Sequence, residues 1–107
     1  YVLGLSMGGW VVWDAISRRP NFFAAAVPIC GGGDPEQAIY FKDVNIWAWH
    51  GEEDNVIDVK KSQDMVQALV KAKGNIKYSE IKVRGHDSWL DVWNSSDLWN
   101  WLYNQRK

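Results

Sequence analysis

Hydrophobic and polar positions alternate along this chain with two different periods, one typical of strands and one typical of helices. Short apolar runs at Tyr1–Leu5, Phe23–Cys30 and Val44–His50 predict three strands. The second is apolar on both faces, as an interior strand of a parallel sheet would be. Residues 76–83 (IKYSEIKV) alternate apolar and polar, which predicts an edge strand. Pro28 weakens the expected pairing in the outer half of the second strand.

The first predicted helix covers about Met7–Arg19. It ends before Pro20, because a proline pushes the preceding residue out of the helical region. Its apolar residues recur at helical spacing and form one stripe, composed of Met7, Val11 and Ala15 with Val12 and Ile16 beside them.

Two more helical segments follow. Lys60–Lys73 has an apolar face, and Gly74 is expected to be its C-terminal cap. Ser88–Tyr103 is helical with a break at Asn94-Ser95-Ser96, where either serine can cap a second helix beginning at Asp97. Strands alternating with helices predict an α/β fold, with about four parallel strands and helices on both faces.

The composition is that of one globular domain covering residues 1–107. The net charge is −1 with both signs interspersed, so no electrostatic footprint for nucleic acid is present. No apolar run approaches the roughly 18 residues of a membrane span. Cys30, the only cysteine, has no partner for an internal disulfide and is expected to be buried. The eight tryptophans are expected mainly to pack in the core.

Reactive side chains follow three of the four predicted strands. Ser6 follows the first strand, Asp54 the third and His86 the fourth. Because chemistry in parallel sheets gathers at the carboxyl ends of the strands, we expect the three side chains to converge.

Ser6 is the centre of a G-x-S-x-G motif between a strand and a helix. Such a turn holds the serine in a strained backbone conformation, and we expect a side chain at Gly4 or Gly8 to collide with the neighbouring strand or helix. The helix that follows points backbone N–H groups at a developing oxyanion, and the Met7 N–H is the expected donor.

His86 is placed to take the Ser6 proton and pass it to a leaving group. Asp54 is the first candidate for the carboxylate that orients His86, and Asp34 is its rival, although Asp34 also begins a predicted helix. Asp58 is better suited to cap the following helix. Asp87 is too close along the chain to reach the ring of its own neighbour.

Three further residues have candidate roles. His50 ends the third strand and is expected to bond backbone in the loop around Gly51, positioning Asp54. No second ligand stands near His50 at metal-binding spacing, so neither a metal nor a cofactor is predicted. Trp10 and Trp89 are candidates for a substrate pocket, with core packing as the alternative.

Together, four motifs resemble the C-terminal half of an α/β-hydrolase: GLSMGG, PICGGGD, HGEEDNVIDV and RGHDSW. The branch most similar to the chain includes the phospholipase/carboxylesterase, dienelactone-hydrolase-like and prolyl-oligopeptidase-like families. The chain order Ser, Asp, His is also that of α/β-hydrolases. By this resemblance Ser6 is the nucleophile, Asp54 the acid and His86 the base. Dienelactone hydrolases proper use a cysteine as nucleophile, so Ser6 favours the esterases within this branch. The chain departs from the family at Asp58, where the family often has a proline.

The resemblance implies a serine hydrolase that cleaves small carboxylic esters through an acyl-enzyme. The family fold has eight strands, and this chain would begin within the fifth. The N-terminal half would then supply a second oxyanion donor and much of the pocket, so we expect residues 1–107 alone to be weak or inactive. The alternatives are a prolyl-oligopeptidase-type peptidase and a non-catalytic module whose tryptophans bind sugars or a protein.

Overall fold

A computed structural model describes residues 1–82 and 84–106. Within these residues, the strands are β1 (Val2–Leu5), β2 (Ala25–Ile29), β3 (Asn45–Gly51) and β4 (Ile76–Ile81). All neighbours are parallel, in the order β1-β2-β3-β4. The helices are α1 (Met7–Arg18), α2 (Lys60–Lys71), α3 (Trp89–Trp93) and α4 (Ser96–Tyr103), with a 3₁₀ helix at Pro35–Tyr40. The predicted α/β class is confirmed. Val83, predicted to end the fourth strand, lies outside the described residues.

The sheet separates two apolar clusters, because successive side chains of a strand point to opposite faces. Under α1, the 3₁₀ helix and α2, the first cluster contains Val12, Trp13, Ile16, Ala26, Ala38, Phe41, Val44, Ile46, Ala48, Met65 and Leu69. Under α3 and α4, the second contains Ala25, Val27, Ile29, Cys30, Trp47, Trp49, Val92, Leu98 and Leu102. Helices therefore cover both faces, as predicted. In the described part of the chain, no helix is long and apolar enough to cross a membrane.

Helix α1 is rotated away from the stripe that the sequence predicts. Met7 and Val11 are 79% and 59% exposed. The reason is Gly9, which lies so close to β2 that a Cβ there would stand 2.6 Å from the Ile29 carbonyl oxygen. Because of this contact, the side of α1 that faces the sheet is the one that carries Gly9, Val12, Trp13 and Ile16.

Pro28 does not end β2, although it removes one hydrogen bond. The Cys30 N–H donates to the Trp49 carbonyl at 2.7 Å, so the backbone position two residues earlier also faces β3. Pro28 has no N–H to donate there. The strand still pairs with β1 through Pro28 and with β3 at Ile29, so the outer half is formed.

Two helix ends refine the sequence prediction. Helix α2 ends at Lys71, and the left-handed residue after it is Lys73 with φ 61°, not Gly74. The Gly74 N–H donates to the Leu69 carbonyl at 2.8 Å, which completes a Schellman-type end. Helix α4 begins one residue before Asp97, and Ser95 is its cap, accepting a hydrogen bond from the Leu98 N–H.

Most tryptophans pack as predicted. Trp13, Trp47 and Trp49 are buried, and three more pack partly buried against the second cluster: Trp89, Trp99 and Trp101. The other two are more exposed, Trp10 at 36% and Trp93 at 43%.

Candidate active site

Ser6 lies on a sharp turn between β1 and α1. Its backbone has φ 56° and ψ −120°, a left-handed conformation that is costly for any residue except glycine. The Ser6 N–H donates to the Ile29 carbonyl at 2.9 Å, which ties the turn to the end of β2. A Cβ at Gly4 would stand 2.3 Å from the Gly8 carbonyl oxygen, so this glycine lets the strand and helix meet.

The expectation for the second glycine of the motif is wrong. A Cβ at Gly8 would meet nothing within 4 Å. The Gly8 backbone packs against Gly4 of β1, but a Cβ at Gly8 would point into open space, whereas a Cβ at its neighbour Gly9 would point at β2. The close approach that the motif predicts at Gly8 is therefore made one residue later.

His86 links Ser6 to Asp54 by two short hydrogen bonds. Its Nε2 lies 2.7 Å from Ser6 Oγ, and its Nδ1 lies 2.8 Å from Asp54 Oδ2. The His86 side chain is 26% exposed, whereas the Asp54 side chain is fully buried. The tautomer that satisfies both bonds carries its proton on Nδ1 and accepts from the serine hydroxyl at Nε2.

Gly51 allows the His86 loop to reach this position. A Cβ at Gly51 would stand 2.2 Å from the Gly85 carbonyl oxygen and 2.4 Å from that of Arg84. The Arg84 carbonyl also accepts a hydrogen bond from the Glu53 N–H at 2.8 Å. The loops after β3 and β4 are therefore in backbone contact, which holds His86 beside Asp54.

The Asp54 carboxylate is held by hydrogen bonds from the backbone of its own loop. Its Oδ1 accepts hydrogen bonds from the Val56 and Ile57 N–H groups, both at 2.8 Å, which leaves Oδ2 for His86. Burial acts to raise the pKa of Asp54, but the hydrogen bonds from His86, Ile57 and Val56 outweigh it and hold the pKa below its ordinary value. Asp54 is therefore a carboxylate at neutral pH.

His50 contacts the same loop from the protein interior. It is fully buried, its Nε2 lies 2.7 Å from the Ile57 carbonyl oxygen, and its Nδ1 lies 2.7 Å from Ser62 Oγ. A proton on Nε2 would donate to Ile57 while Ser62 donates to Nδ1, so the neutral ring satisfies both contacts. His50 Nε2 is also 3.3 Å from Asp54 Oδ2. The predicted bond from His50 to backbone in this loop is present.

The other acidic candidates have local partners. Asp34 is exposed and accepts a hydrogen bond from the Glu36 N–H at the start of the 3₁₀ helix. Asp58 accepts from the Lys60 N–H at the start of α2. Asp87 pairs with Arg84. Of the acids weighed from the sequence, the structure places Asp54 in contact with the His86 ring.

The remaining predicted site residues are spread more widely. Met7 is the first residue of α1, so its N–H has no acceptor within the helix. Trp10 lines a groove of about 540 Å³ along α1 together with Gly32 and Gly33. Trp89 packs against the cluster on the opposite face of the sheet. The structure therefore does not bring the two tryptophans into one pocket, and a substrate-binding role for either remains a prediction.

Sequence reasoning missed a cysteine beside the candidate triad. The strand register aligns Leu5 with Ile29, so Cys30 follows β2 where Ser6 follows β1. Ligand atoms of Cys30, Asp54 and His86 lie within 4.8 Å of one another. The sequence did contain a signal for this nearness, because a serine and a cysteine follow two consecutive strands. The sequence predicted no metal ligand set near His50, and the group at Asp54 does not include His50.

Comparisons with known proteins agree with this architecture. The family model of the dienelactone hydrolase family matches residues 1–83. No curated protein matches the chain. Among solved structures, a thermostable esterase is 37% identical with a TM-score of 0.95 over 98% of this chain and 30% of that one.

Two further structures are similar in fold. Esterase PE8 is 19% identical with a TM-score of 0.75, over 94% of this chain and 48% of that one. Dipeptidyl peptidase 4 from Porphyromonas gingivalis is 13% identical with a TM-score of 0.85, over 97% of this chain and 19% of that one. The chain thus spans less than half the length of each of these three proteins. The chain belongs to the dienelactone hydrolase family, within the α/β-hydrolase esterases.

Proposed function

We propose that the protein carrying this chain is a serine hydrolase that cleaves carboxylic esters, with Ser6 as nucleophile, His86 as general base and acid, and Asp54 as the orienting carboxylate. One observation carries the proposal. Ser6 Oγ, the His86 ring and Asp54 Oδ2 form a continuous chain of hydrogen bonds of 2.7 and 2.8 Å. A hydroxyl is a weak nucleophile, and a base at this distance is what activates it.

The reaction follows from these contacts in two halves. Ser6 Oγ attacks the ester carbonyl carbon while its proton moves to His86 Nε2, and the Asp54 carboxylate stabilises the resulting imidazolium. The tetrahedral intermediate collapses, the C–O bond to the alcohol breaks, and His86 returns the proton to the leaving oxygen. Water then attacks the acyl-enzyme through the same base, which releases the acid and restores Ser6.

Met7 is the proposed donor to the oxyanion. The strained turn at Ser6 leads directly into α1, so the Met7 N–H stands at the positive end of the helix, where negative charge develops. A full oxyanion hole uses a second N–H from elsewhere in the fold. We therefore expect residues 1–107 alone to turn over about 10²–10³-fold more slowly than the whole protein.

Ester substrates are favoured over peptides by the similarity to a thermostable esterase at 37% identity, since the likeness to a peptidase is one of fold alone. The proposal is tested by hydrolysis of p-nitrophenyl acyl esters by the whole protein and its Ser6→Ala variant. Triad nucleophile loss lowers kcat by roughly 10⁶-fold in a well-studied case. Ser17→Ala is the matched control, since its exposed hydroxyl donates to the Asp14 carbonyl within the same helix.

Two other outcomes would redirect the assignment. Equal ester hydrolysis by the parent and Ser6→Ala proteins would remove Ser6 from the chemistry. A higher kcat/KM on matched peptide p-nitroanilides than on esters would identify a peptidase. Labelling by a fluorophosphonate in the parent protein, and its loss in Ser6→Ala, would argue against a non-catalytic binding module.

A further inference from the structure

The Cys30 thiol lies directly behind the candidate triad. Cys30 directly follows β2 in a left-handed conformation with φ 44° and is fully buried. Its sulfur, an Asp54 carboxylate oxygen and a His86 ring nitrogen are within 4.8 Å of one another. None of the proposed steps of ester hydrolysis uses this thiol.

Ser88 adds a fourth polar group to the cluster. It is fully buried two residues after His86, and its hydroxyl has no well-aligned hydrogen bond among the described residues. Burial raises the pKa of the Cys30 thiol and the Asp54 charge adds to this, while the Ser6 backbone and the Ser88 hydroxyl act in the opposite direction. The Ser88 oxygen is therefore aimed at Cys30 without a settled partner, in a place where an unmade hydrogen bond is costly.

We propose that Cys30, Asp54 and His86 form a binding site for Zn²⁺, with Ser88 or a water as the fourth ligand, and that the bound ion inhibits the enzyme. Thiolate, imidazole and carboxylate together are a ligand set that suits Zn²⁺, whereas Mg²⁺ and Ca²⁺ take oxygen ligands. Tetrahedral Zn²⁺ holds its ligand atoms roughly 3.5 Å apart. Atoms that lie within 4.8 Å of one another need to approach by about 1 Å to share one ion.

Occupation of the site and the proposed hydrolysis exclude each other. The ion takes the Asp54 Oδ2 and the His86 Nδ1 lone pair, so the imidazole proton moves from Nδ1 to Nε2. With a proton already on Nε2, His86 cannot accept the hydroxyl proton of Ser6. The thiol proton of Cys30 is released to solvent, as in other thiolate metal sites. Inhibition rests on the proposed function, whereas binding of the ion does not.

The test uses the whole protein with Ser6→Ala, which keeps all three ligands. Co²⁺ replaces Zn²⁺ as probe, because a thiolate bound to Co²⁺ gives a charge-transfer absorption band. We expect the band to appear and Zn²⁺ to displace it. Adding Cys30→Ser should abolish the band and weaken Zn²⁺ binding at least about tenfold. Asp34→Asn, which removes an exposed carboxylate outside the cluster, should leave both unchanged.

A missing band in Ser6→Ala, or a band that survives Cys30→Ser, would overturn the site. If the Cys30→Ser variant does not fold, His86→Gln in the same background decides the question, because loss of the imidazole must also remove the band. The two proposals fail separately. A band in Ser6→Ala together with no esterase activity in the parent protein sinks only the hydrolase, and esterase activity in the parent without a band in Ser6→Ala sinks only the Zn²⁺ site.

Discussion

The turn at Ser6 and the loop at Asp54 hold their functional side chains by different physical means. Ser6 is held by sterics: a left-handed backbone and a strand–helix contact that tolerates no Cβ at Gly4. Asp54 is held by polar bonds, from two backbone N–H groups and from His86, above a buried His50. The first arrangement is sensitive to added atoms and the second to removed ones.

Among the changes that test this comparison, the largest expected effect is on the Asp54 loop. Asp54→Asn keeps the shape but removes the charge that fixes the His86 tautomer, and we expect kcat to fall about 10⁴-fold. Steady-state hydrolysis of a p-nitrophenyl ester measures it. Asp34→Asn is the matched control, because asparagine also caps a helix start. If Asp34→Asn lowers kcat more than Asp54→Asn does, the assignment of the acid is reversed.

A smaller loss is expected when the Ser6 turn is crowded. Gly4→Ala places a Cβ 2.3 Å from the Gly8 carbonyl, so β1 and α1 must separate. A displacement near 1 Å is enough to lower kcat by about 10²-fold. Gly8→Ala, which adds a Cβ where nothing lies within 4 Å, is the control. Equal kcat values and equal melting temperatures for the two variants would show that the turn is not held by sterics.

The hydrogen bonds beneath Asp54 are expected to matter chiefly for stability. Ser62→Ala leaves the buried His50 Nδ1 without its partner, and we expect the free energy of unfolding to fall by about 1–3 kcal/mol. Urea denaturation measures the change. Ser17→Ala, on α1, should stay within about 0.5 kcal/mol of the parent. If Ser62→Ala is no more destabilising than this control, His50 does not support the loop through Ser62.

The smallest expected signal is a pH dependence. The folded-state pKa of Asp54 is below its ordinary value of 3.8, so the ionised carboxylate stabilises the fold above that pH. As pH falls through the folded-state pKa, this contribution is lost. The difference in unfolding free energy between the parent and Asp54→Asn should therefore shrink below pH 3.8. A difference that stays constant from pH 7 to pH 2 would contradict the bonding described for Asp54.

The sequence predicted those features that depend on short, local patterns. Strand and helix positions follow from periodicity, and the Ser6 turn follows from glycine spacing, so the α/β class and the sheet could be predicted. The rotation of α1 could not, because it depends on the approach of Gly9 to β2 rather than on the apolar stripe. The left-handed Lys73 was missed for a similar reason, since glycine is the usual residue at that position.

The surroundings of the candidate triad were harder to predict than its members. The positions of Ser6 and His86 after strands were enough to predict them as candidates. The contact of Gly51 with the Arg84–Gly85 backbone could not be predicted in this way, because it joins two loops about 30 residues apart in the sequence. The nearness of Cys30 depends on the register between β1 and β2. Register and loop approach are properties of the folded chain, which periodicity does not encode.

The spatial order of the strands is the same as their order along the chain. Each strand therefore lies beside the strand that precedes it in the chain, in the order in which a ribosome releases them. Of the three candidate triad residues, Ser6 emerges first and His86 last. A nascent or C-terminally clipped chain can complete three strands and still lack its base, so hydrolysis, if it depends on this triad, becomes available only when synthesis of this segment is nearly finished.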